Sequence, residues 1–178
     1  VPVSGPPRRA WGWHRLADDW AARIVAEAGV RPGELVLDIG AGEGALTAHL
    51  IRAGARVVAI ELHPGRAARL AARFPQATVV RADARDLRLP HRPFRVVASP
   101  PYALTAGLLA LLLAPGTRLI AADLVLQRAV VRKYADGSAP GTARWARTFH
   151  ARPGLPIPRH AFRPPPRVDS AVLVLRHR

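Results

Sequence analysis

The chain has no cysteine and no methionine among its 178 residues. The first absence excludes a disulfide framework and a thiolate metal site, and it leaves the redox compartment open. The second leaves a start that was processed, trimmed or non-standard. Lys133 is the only lysine, so the positive charge falls almost wholly on arginine. Acids are scarce as well: 12 against 27 basic residues, a net charge of +15. An excess of that sign and size favours an acidic partner, nucleic acid first, because neutralising phosphates rewards many scattered cations. GC-rich coding also raises arginine and alanine, but it does not by itself explain so large a net charge. No long hydrophobic run is present. The longest, residues 103–114, is too short to cross a bilayer and stops at Pro115-Gly116, so it reads as a buried helix and no membrane is expected. Residues 1–10 carry proline and arginine but no apolar core, so no secretory signal is expected. The seven histidines show no metal-ligand spacing, and no metal is expected. What is present is enough apolar content, 49%, to argue against disorder, in a length that suits one domain with a real core.

Leu16, Trp20, Ile24 and Ala28 recur at helical spacing and predict a helix over 15–28, ended by Gly29 and Pro32. Strands are predicted over 34–39, 55–60, 78–81, 94–98 and 118–126. Helices are predicted over 44–53, 64–74, 104–113 and 127–134, the second of these with Pro64 in its first turn. Such alternation means an α/β fold with a mostly parallel sheet covered on both faces. The pattern then changes. Residues 135–144 read as a mobile loop, and 145–150 and 171–176 as two closing strands. Between them, 153–166 holds six prolines and reads as a rigid loop, since proline is excluded from a central strand. No repeat and no second domain are visible, and the chain stops directly after the last strand.

Two places carry chemistry. Ser99-Pro100-Pro101-Tyr102 follows the run Phe94 to Ala98 and makes a stiff corner at a strand end. The Ser99 hydroxyl and a backbone carbonyl can accept hydrogen bonds there, and the Tyr102 ring offers a flat surface. A flat heterocycle bearing an amino group suits such a corner. Upstream, Asp38-Ile39-Gly40-Ala41-Gly42-Glu43-Gly44 lies where the first strand turns into a helix, and glycines let a backbone approach a ligand closely. Glu61 ends the second strand, where an acid can accept from ribose hydroxyls, and Asp83 follows the third, where a carboxylate can meet an adenine amino group. Tight turns with acids at strand ends occur in many α/β sheets, but three acids and a glycine run at successive strand ends favour a site. NAD is the main competitor. Its pyrophosphate prefers the longer glycine fingerprint, and Glu43 beside the helix start is poor company for a phosphate. A cationic cofactor, S-adenosyl-L-methionine, fits better, and the two places together read as methyl transfer to a nucleobase amino group.

These residues resemble the S-adenosylmethionine-dependent methyltransferase fold, a Rossmann-like, mostly parallel seven-stranded sheet. More narrowly they resemble the rRNA adenine-N6 methyltransferases, which include the Erm macrolide-resistance enzymes and the small-subunit dimethyladenosine synthases. The resemblance covers nearly the whole chain. The glycine motif, Glu61, Asp83 and the Ser99 corner fall in the family's order and spacing. The run Phe162 to Leu173 looks like its F-x-P-x-P-x-V-x-S-x-V signature. The arginine-rich start, with Trp11 to Leu16, is most similar to short actinobacterial Erm proteins.

The resemblance implies that Gly40 and its neighbours Asp38 and Gly42 hold the methionine end of the cofactor, with Ser99 beside it. It implies that Glu61 binds the ribose and Asp83 the adenine, while His14 and Leu16 close over the cofactor. Tyr102 stacks on the flipped target adenine, Phe162 meets its other face, and Ser99 and the carbonyl of Pro100 accept from its amino group. It also implies a cytoplasmic monomer acting on 23S rRNA, free or in a ribosomal precursor, and giving macrolide, lincosamide and streptogramin B resistance. The family has asparagine where this chain has Ser99, and Trp13-His14-Arg15 replaces its usual Gln-Asn/His-Phe. A basic arm over 1–14 and one catalytic domain over 15–178 are expected, without the family's helical C-terminal domain. RNA then binds through the arm and the arginine-rich segment 144–167. Two alternatives stand beside this reading: an amino-methylating DNA enzyme, and a non-catalytic rRNA-binding or assembly protein that keeps the fold. Trp11, Trp13, Trp20 and Trp145 serve as RNA platforms or as packing, with packing favoured for Trp20. Phe162 also suits an anchor for the proline-rich loop, and Asp169 and Ser170 suit a turn cap.

Overall fold

Strands joined through helices can pair in parallel, and the crossovers then cover both faces of the sheet. A computed structural model describes residues 14–178 of the chain. Its elements in chain order are β1 (Arg15–Leu16), α1 (Asp18–Ala28), β2 (Leu35–Ile39), α2 (Ala45–Arg52), β3 (Arg56–Ile60), α3 (Pro64–Arg73), β4 (Thr78–Val80) and β5 (Phe94–Ala98). They continue with α4 (Thr105–Leu112), β6 (Leu119–Gln127), α5 (Arg128–Ala135), α6 (Thr142–Trp145), β7 (Phe149–Ile157), β8 (Phe162–Arg163) and β9 (Ser170–His177). Seven strands form one sheet in the order β4-β3-β2-β5-β6-β9-β7. The first five are parallel, and β9 and β7 close the edge antiparallel.

Alternate side chains of a strand leave opposite faces, and a sheet covered twice must be apolar on both. Leu35, Leu37 and Ile39 of β2 pack with Leu108, Leu109 and Leu112 of α4 and Val131 of α5. Val36, one residue out of phase, packs on the other face with Ile24 and Val25 of α1 and Leu46 and Leu50 of α2. Burying each such side chain stabilises the fold by about 1.5–3 kcal/mol. The parallel order brings the C-terminal ends of β2, β3, β4, β5 and β6 to one rim, where ligands bind in open α/β sheets. No helix among the described residues is long and apolar enough to cross a membrane.

Charges also enter the core. Arg95 of β5 is buried, and it donates to Glu34 at 2.9 Å and to the carbonyls of Ala28 and Gly29. Asp123 in β6 is buried too and accepts from both terminal nitrogens of Arg176 at 2.9 and 3.0 Å. These bonds tie the start of the sheet to the end of α1 and to the last strand.

Three expectations need correction. The helix expected over 15–28 starts at Asp18; Arg15 and Leu16 form β1 and pair with Arg163 and Phe162. Ala17 is extended, and Asp18 and Asp19 supply the acids that favour a helix N-terminus. The strand expected over 145–150 starts at Phe149, and Trp145 instead ends α6, stacked on Tyr134 at 5.7 Å. The rigid loop expected over 153–166 is strand as far as Ile157. β7 pairs only with β9, so Pro153 and Pro156 sit in an edge strand whose outer side needs no N–H donor, and the register shifts between them. Trp20 packs as expected, half-buried against the α1 and α2 core, with the Arg23 guanidinium 4.4 Å from the ring centre. The arm as far as residue 13, with Trp11 and Trp13, lies outside the described residues.

Candidate active site

The rim of the sheet is built from the turn after β2. Gly40 has φ 76° and Gly44 φ 90°, conformations that a side chain strains. A Cβ on Gly40 would also stand 3.1 Å from Cδ of Pro101 and 3.4 Å from Cα of Pro100. The glycine turn therefore packs directly on the proline corner after β5, and the two places singled out in the sequence form one wall. Backbone N–H groups of Gly40 and Ala41 donate to the carbonyl of Ile60 at 2.8 and 3.0 Å, which pins the turn to β3.

In front of this wall is a cavity of about 320 Å³. Of the residues predicted from the sequence, the structure brings His14, Leu16, Asp38, Gly40 and Ser99 to its lining. Asp38 is 1% exposed, and its Oδ2 accepts from the Thr47 hydroxyl at 2.7 Å. Burial, together with the nearby charge of Glu61, pushes its pKa up from 3.8 to about 7. Glu43 also lines the cavity, 3.4 Å from the guanidinium of Arg15.

Gly42, Glu61, Asp83, Tyr102 and Phe162 stand outside that lining. Glu61 is 4% exposed and faces the turn from behind: Oε2 accepts from the Gly42 N–H at 2.8 Å. Its Oε1 accepts from the His63 N–H at 3.0 Å and from Arg66 Nε at 3.1 Å, and it forms an ion pair with Arg66 Nη2 at 3.1 Å. Together these contacts hold the glycine turn against the start of α3. Asp83 caps the 3-10 turn after β4 by accepting from the Arg85 N–H at 2.9 Å, and it also binds the Arg85 guanidinium down to 2.6 Å. These bonds from Arg85 hold its carboxyl down at about 2. Phe162 is 2% exposed and meets His14 edge-on, with ring centres 6.5 Å apart. It packs in the core with Leu16 and α1, as an anchor of the segment after β7.

Tyr102 opens a 3-10 turn after Pro101 and is half-buried. The His14 ring lies over it at 6.0 Å and 29°, held by an Nδ1 contact of 2.7 Å with the carbonyl of Pro164. Its hydroxyl is 2.5 Å from Oγ of Ser170. Ser170 starts β9 and is no turn cap, which corrects the sequence reading. Ser170, Thr47 and Arg66 are the residues that reading missed. The only signal for Ser170 was its place in the Phe162 signature; Thr47 and Arg66 gave none.

Beside this corner, at the end of β6, lies a second depression of about 420 Å³ lined by Arg128, Arg132, Arg159 and Arg167. Asp169 is the only acid there, 4.0 Å from Nε of Arg159. Four guanidinium groups against one carboxylate make a site for anions.

The arrangement fits a cationic nucleoside cofactor. The cavity wall is a glycine turn open to close approach; the charged group buried in it is the Asp38 carboxyl, and Arg15, Arg73 and Arg163 line its exposed edge. A flat ring carrying an amino group can lie on Tyr102 with Ser99 at hand. The comparisons agree. The chain is 34% identical over 181 residues to a ribosomal RNA small subunit methyltransferase A of Leptothrix cholodnii, covering 94% of this chain and 66% of that protein. It is 39% identical over 182 residues to an rRNA methyltransferase of Streptomyces thermotolerans, covering 96% and 59%. Among solved structures, the 23S rRNA methyltransferase ErmE superposes with a TM-score of 0.83 at 31% identity, over 90% of this chain and 68% of that one. The chain spans about half to two-thirds of the length of the curated relatives it matches. The fold is that of S-adenosyl-L-methionine-dependent methyltransferases, and that cofactor is the one the family uses. A family model for ribosomal RNA adenine dimethylases matches residues 11–178, and with the relatives above it shows that the chain belongs to the ribosomal RNA adenine dimethylase family.

Proposed function

We propose that this chain methylates the N6 amino group of an adenine in 23S rRNA and thereby confers resistance to macrolides, lincosamides and streptogramin B. The observation that carries this reading is the packing of the glycine turn on the proline corner. It sets Ser99 in the cavity wall and leaves Tyr102 just beyond it. A donor of methyl groups on one side and an acceptor base on the other then meet at one strand end.

Asp38, Gly40 and Gly42 would hold the methionine end of the cofactor, His14 and Leu16 would cover it, and Glu61 and Asp83 would serve its nucleoside by exchanging bonds they now make to Arg66 and Arg85. When bound, S-adenosyl-L-methionine supplies an electrophilic methyl group. The amino nitrogen of adenine is a poor nucleophile because its lone pair is delocalised into the ring. The Ser99 hydroxyl and the Pro100 carbonyl would accept its hydrogens, draw the lone pair out of conjugation with the ring and turn it towards the methyl group; the S–CH3 bonding pair would stay on sulfur and the nitrogen would lose one proton to solvent. Ser99 is shorter than the asparagine it replaces, and one hydroxyl suffices to accept one such bond. The remaining work is alignment, which a rigid corner supplies. Leaving the stack costs the base a few kcal/mol, and stacking on Tyr102 offsets about 1–3 kcal/mol. The four arginines beside the corner suit the phosphates on either side of a base turned out of its strand.

The family alone does not choose between ribosomal subunits. Likeness to ErmE favours 23S rRNA, and likeness to the small subunit methyltransferases favours the other subunit as a second reading. Mass spectrometry of nuclease fragments from both rRNAs, taken from cells with and without the protein, tests them. A protein-dependent methyladenine in 23S rRNA supports the first reading, one in the small subunit supports the second, and none in either rRNA refutes both; labelled S-adenosylmethionine offered with duplex DNA then tests the DNA alternative. Failure to bind S-adenosylmethionine in calorimetry would return the protein to the non-catalytic class.

A further inference from the structure

The stacking platform is one ring on one residue, and a ring that turns about its χ1 bond orients nothing. Tyr102 follows two prolines that stiffen the backbone, but they leave the ring itself free. Two contacts fix it. The His14 ring lies over it, and its hydroxyl meets Ser170 Oγ. The second contact is anchored in the sheet. Ser170 opens β9, opposite Gln127 of β6 and Ile157 of β7, and is 1% exposed. Its Oγ therefore stands at a place set by two strand ladders.

A buried hydroxyl costs free energy unless it is bonded, and the residues that follow, Ala171 to Leu175, are buried and apolar. Tyr102 is half-buried, and the bond ties its hydroxyl to that fixed oxygen and so sets the direction in which the ring points.

We propose that Ser170 is a positioning residue for the target base, whose hydroxyl pins the end of the Tyr102 side chain and so, with His14 stacked over the ring, holds the platform that aims the base's amino group at Ser99. This rests on the reading of Tyr102 as the stacking platform. Ser170 touches neither base nor cofactor and acts through the tyrosine.

The test compares the whole chain with Ser170→Ala, Tyr102→Phe and the double variant. The chain has two tyrosines, so ¹³C at the ring ζ carbon gives two resonances. Ser170→Ala should move that of Tyr102 and leave that of Tyr134 in place. A short single-stranded RNA carrying one 2-aminopurine reads stacking without any methyl transfer. Its quenching by the unmodified protein should weaken in Ser170→Ala. On deproteinised rRNA, KM for RNA should rise about fivefold, the size of one neutral hydrogen bond, with the Kd of S-adenosylmethionine within about twofold. Tyr102→Phe should match it, and the double variant should be no worse than either, because both remove one bond. An unmoved Tyr102 resonance, absent or unaltered quenching, an unchanged KM or losses that add in the double variant each overturn the proposal. An unmodified protein that methylates no rRNA refutes the proposed function instead, and the resonance and the quenching still decide the role of Ser170.

Discussion

Asp38 allows a test of the cofactor wall that needs no RNA. Its carboxyl is buried and accepts from the Thr47 hydroxyl, and its pKa is pushed up by burial from 3.8 to about 7. Between those two pH values the folded protein holds a proton that the unfolded chain has released. Stability therefore falls as pH rises through this window, being fully present below about 4 and lost above about 7. Roughly three pH units at 1.36 kcal/mol each make the loss about 4 kcal/mol. Burial leaves no solvent screening to discount. Asp38→Asn keeps the shape and an oxygen for the Thr47 hydroxyl but cannot ionise. Urea unfolding of both proteins at matched ionic strength, followed by tryptophan fluorescence, measures the difference. The unfolding free energy of the unmodified protein relative to Asp38→Asn should drop by about 4 kcal/mol from pH 4 to pH 8, most of it between 5 and 7. A difference constant within about 0.5 kcal/mol over that range refutes the buried, proton-bearing carboxyl. The same group gives cofactor binding the opposite slope. An ionised Asp38 attracts a sulfonium, so affinity for S-adenosylmethionine should rise through pH 7 in the unmodified protein and stay flat in Asp38→Asn.

Tyr102→Ala should abolish methylation while S-adenosylmethionine still binds, as measured by calorimetry; equal loss of both would refute the division between cavity and platform. Gly40→Ala forces a side chain onto a residue at φ 76° and against Pro101, and it should cost about 1–2 kcal/mol in urea unfolding and weaken cofactor binding and activity together. Arg176→Leu takes from buried Asp123 its two bonds, leaving Arg95 at 3.9 Å, and should destabilise the fold by about 3 kcal/mol at neutral pH. Changing Arg128, Arg132, Arg159 and Arg167 to glutamine should flatten the salt dependence of RNA binding by about 0.7 in log–log slope per arginine engaged, with cofactor affinity unchanged.

The strands before each turn were legible because apolar runs there are short and punctuated by glycine and proline, and the structure places them within a residue or two. β1 was not, because Leu16 keeps helical spacing with Trp20 and nothing local shows that it pairs with Phe162, far along the chain. β7 was hidden by a rule that is right for central strands; Pro153 and Pro156 become tolerable only once β7 is known to lie at an edge. The site divides in the same way. Gly40 and Ser99 could be read from residue type and place at a strand end, since a turn and a hydroxyl act where they stand. Glu61 could be read as an acid at a strand end, but not as one whose oxygens serve Gly42, His63 and Arg66, because that depends on how α3 begins. Ser170 lies 68 residues from Tyr102, and only the ladder β6-β9-β7 brings its hydroxyl to the corner. A corner sequence can thus suggest a stacking platform, while the contact at that platform's hydroxyl comes from the last strand of the chain. This is why Ser170, and not a residue within the corner, is where a change should disturb alignment and leave cofactor binding intact.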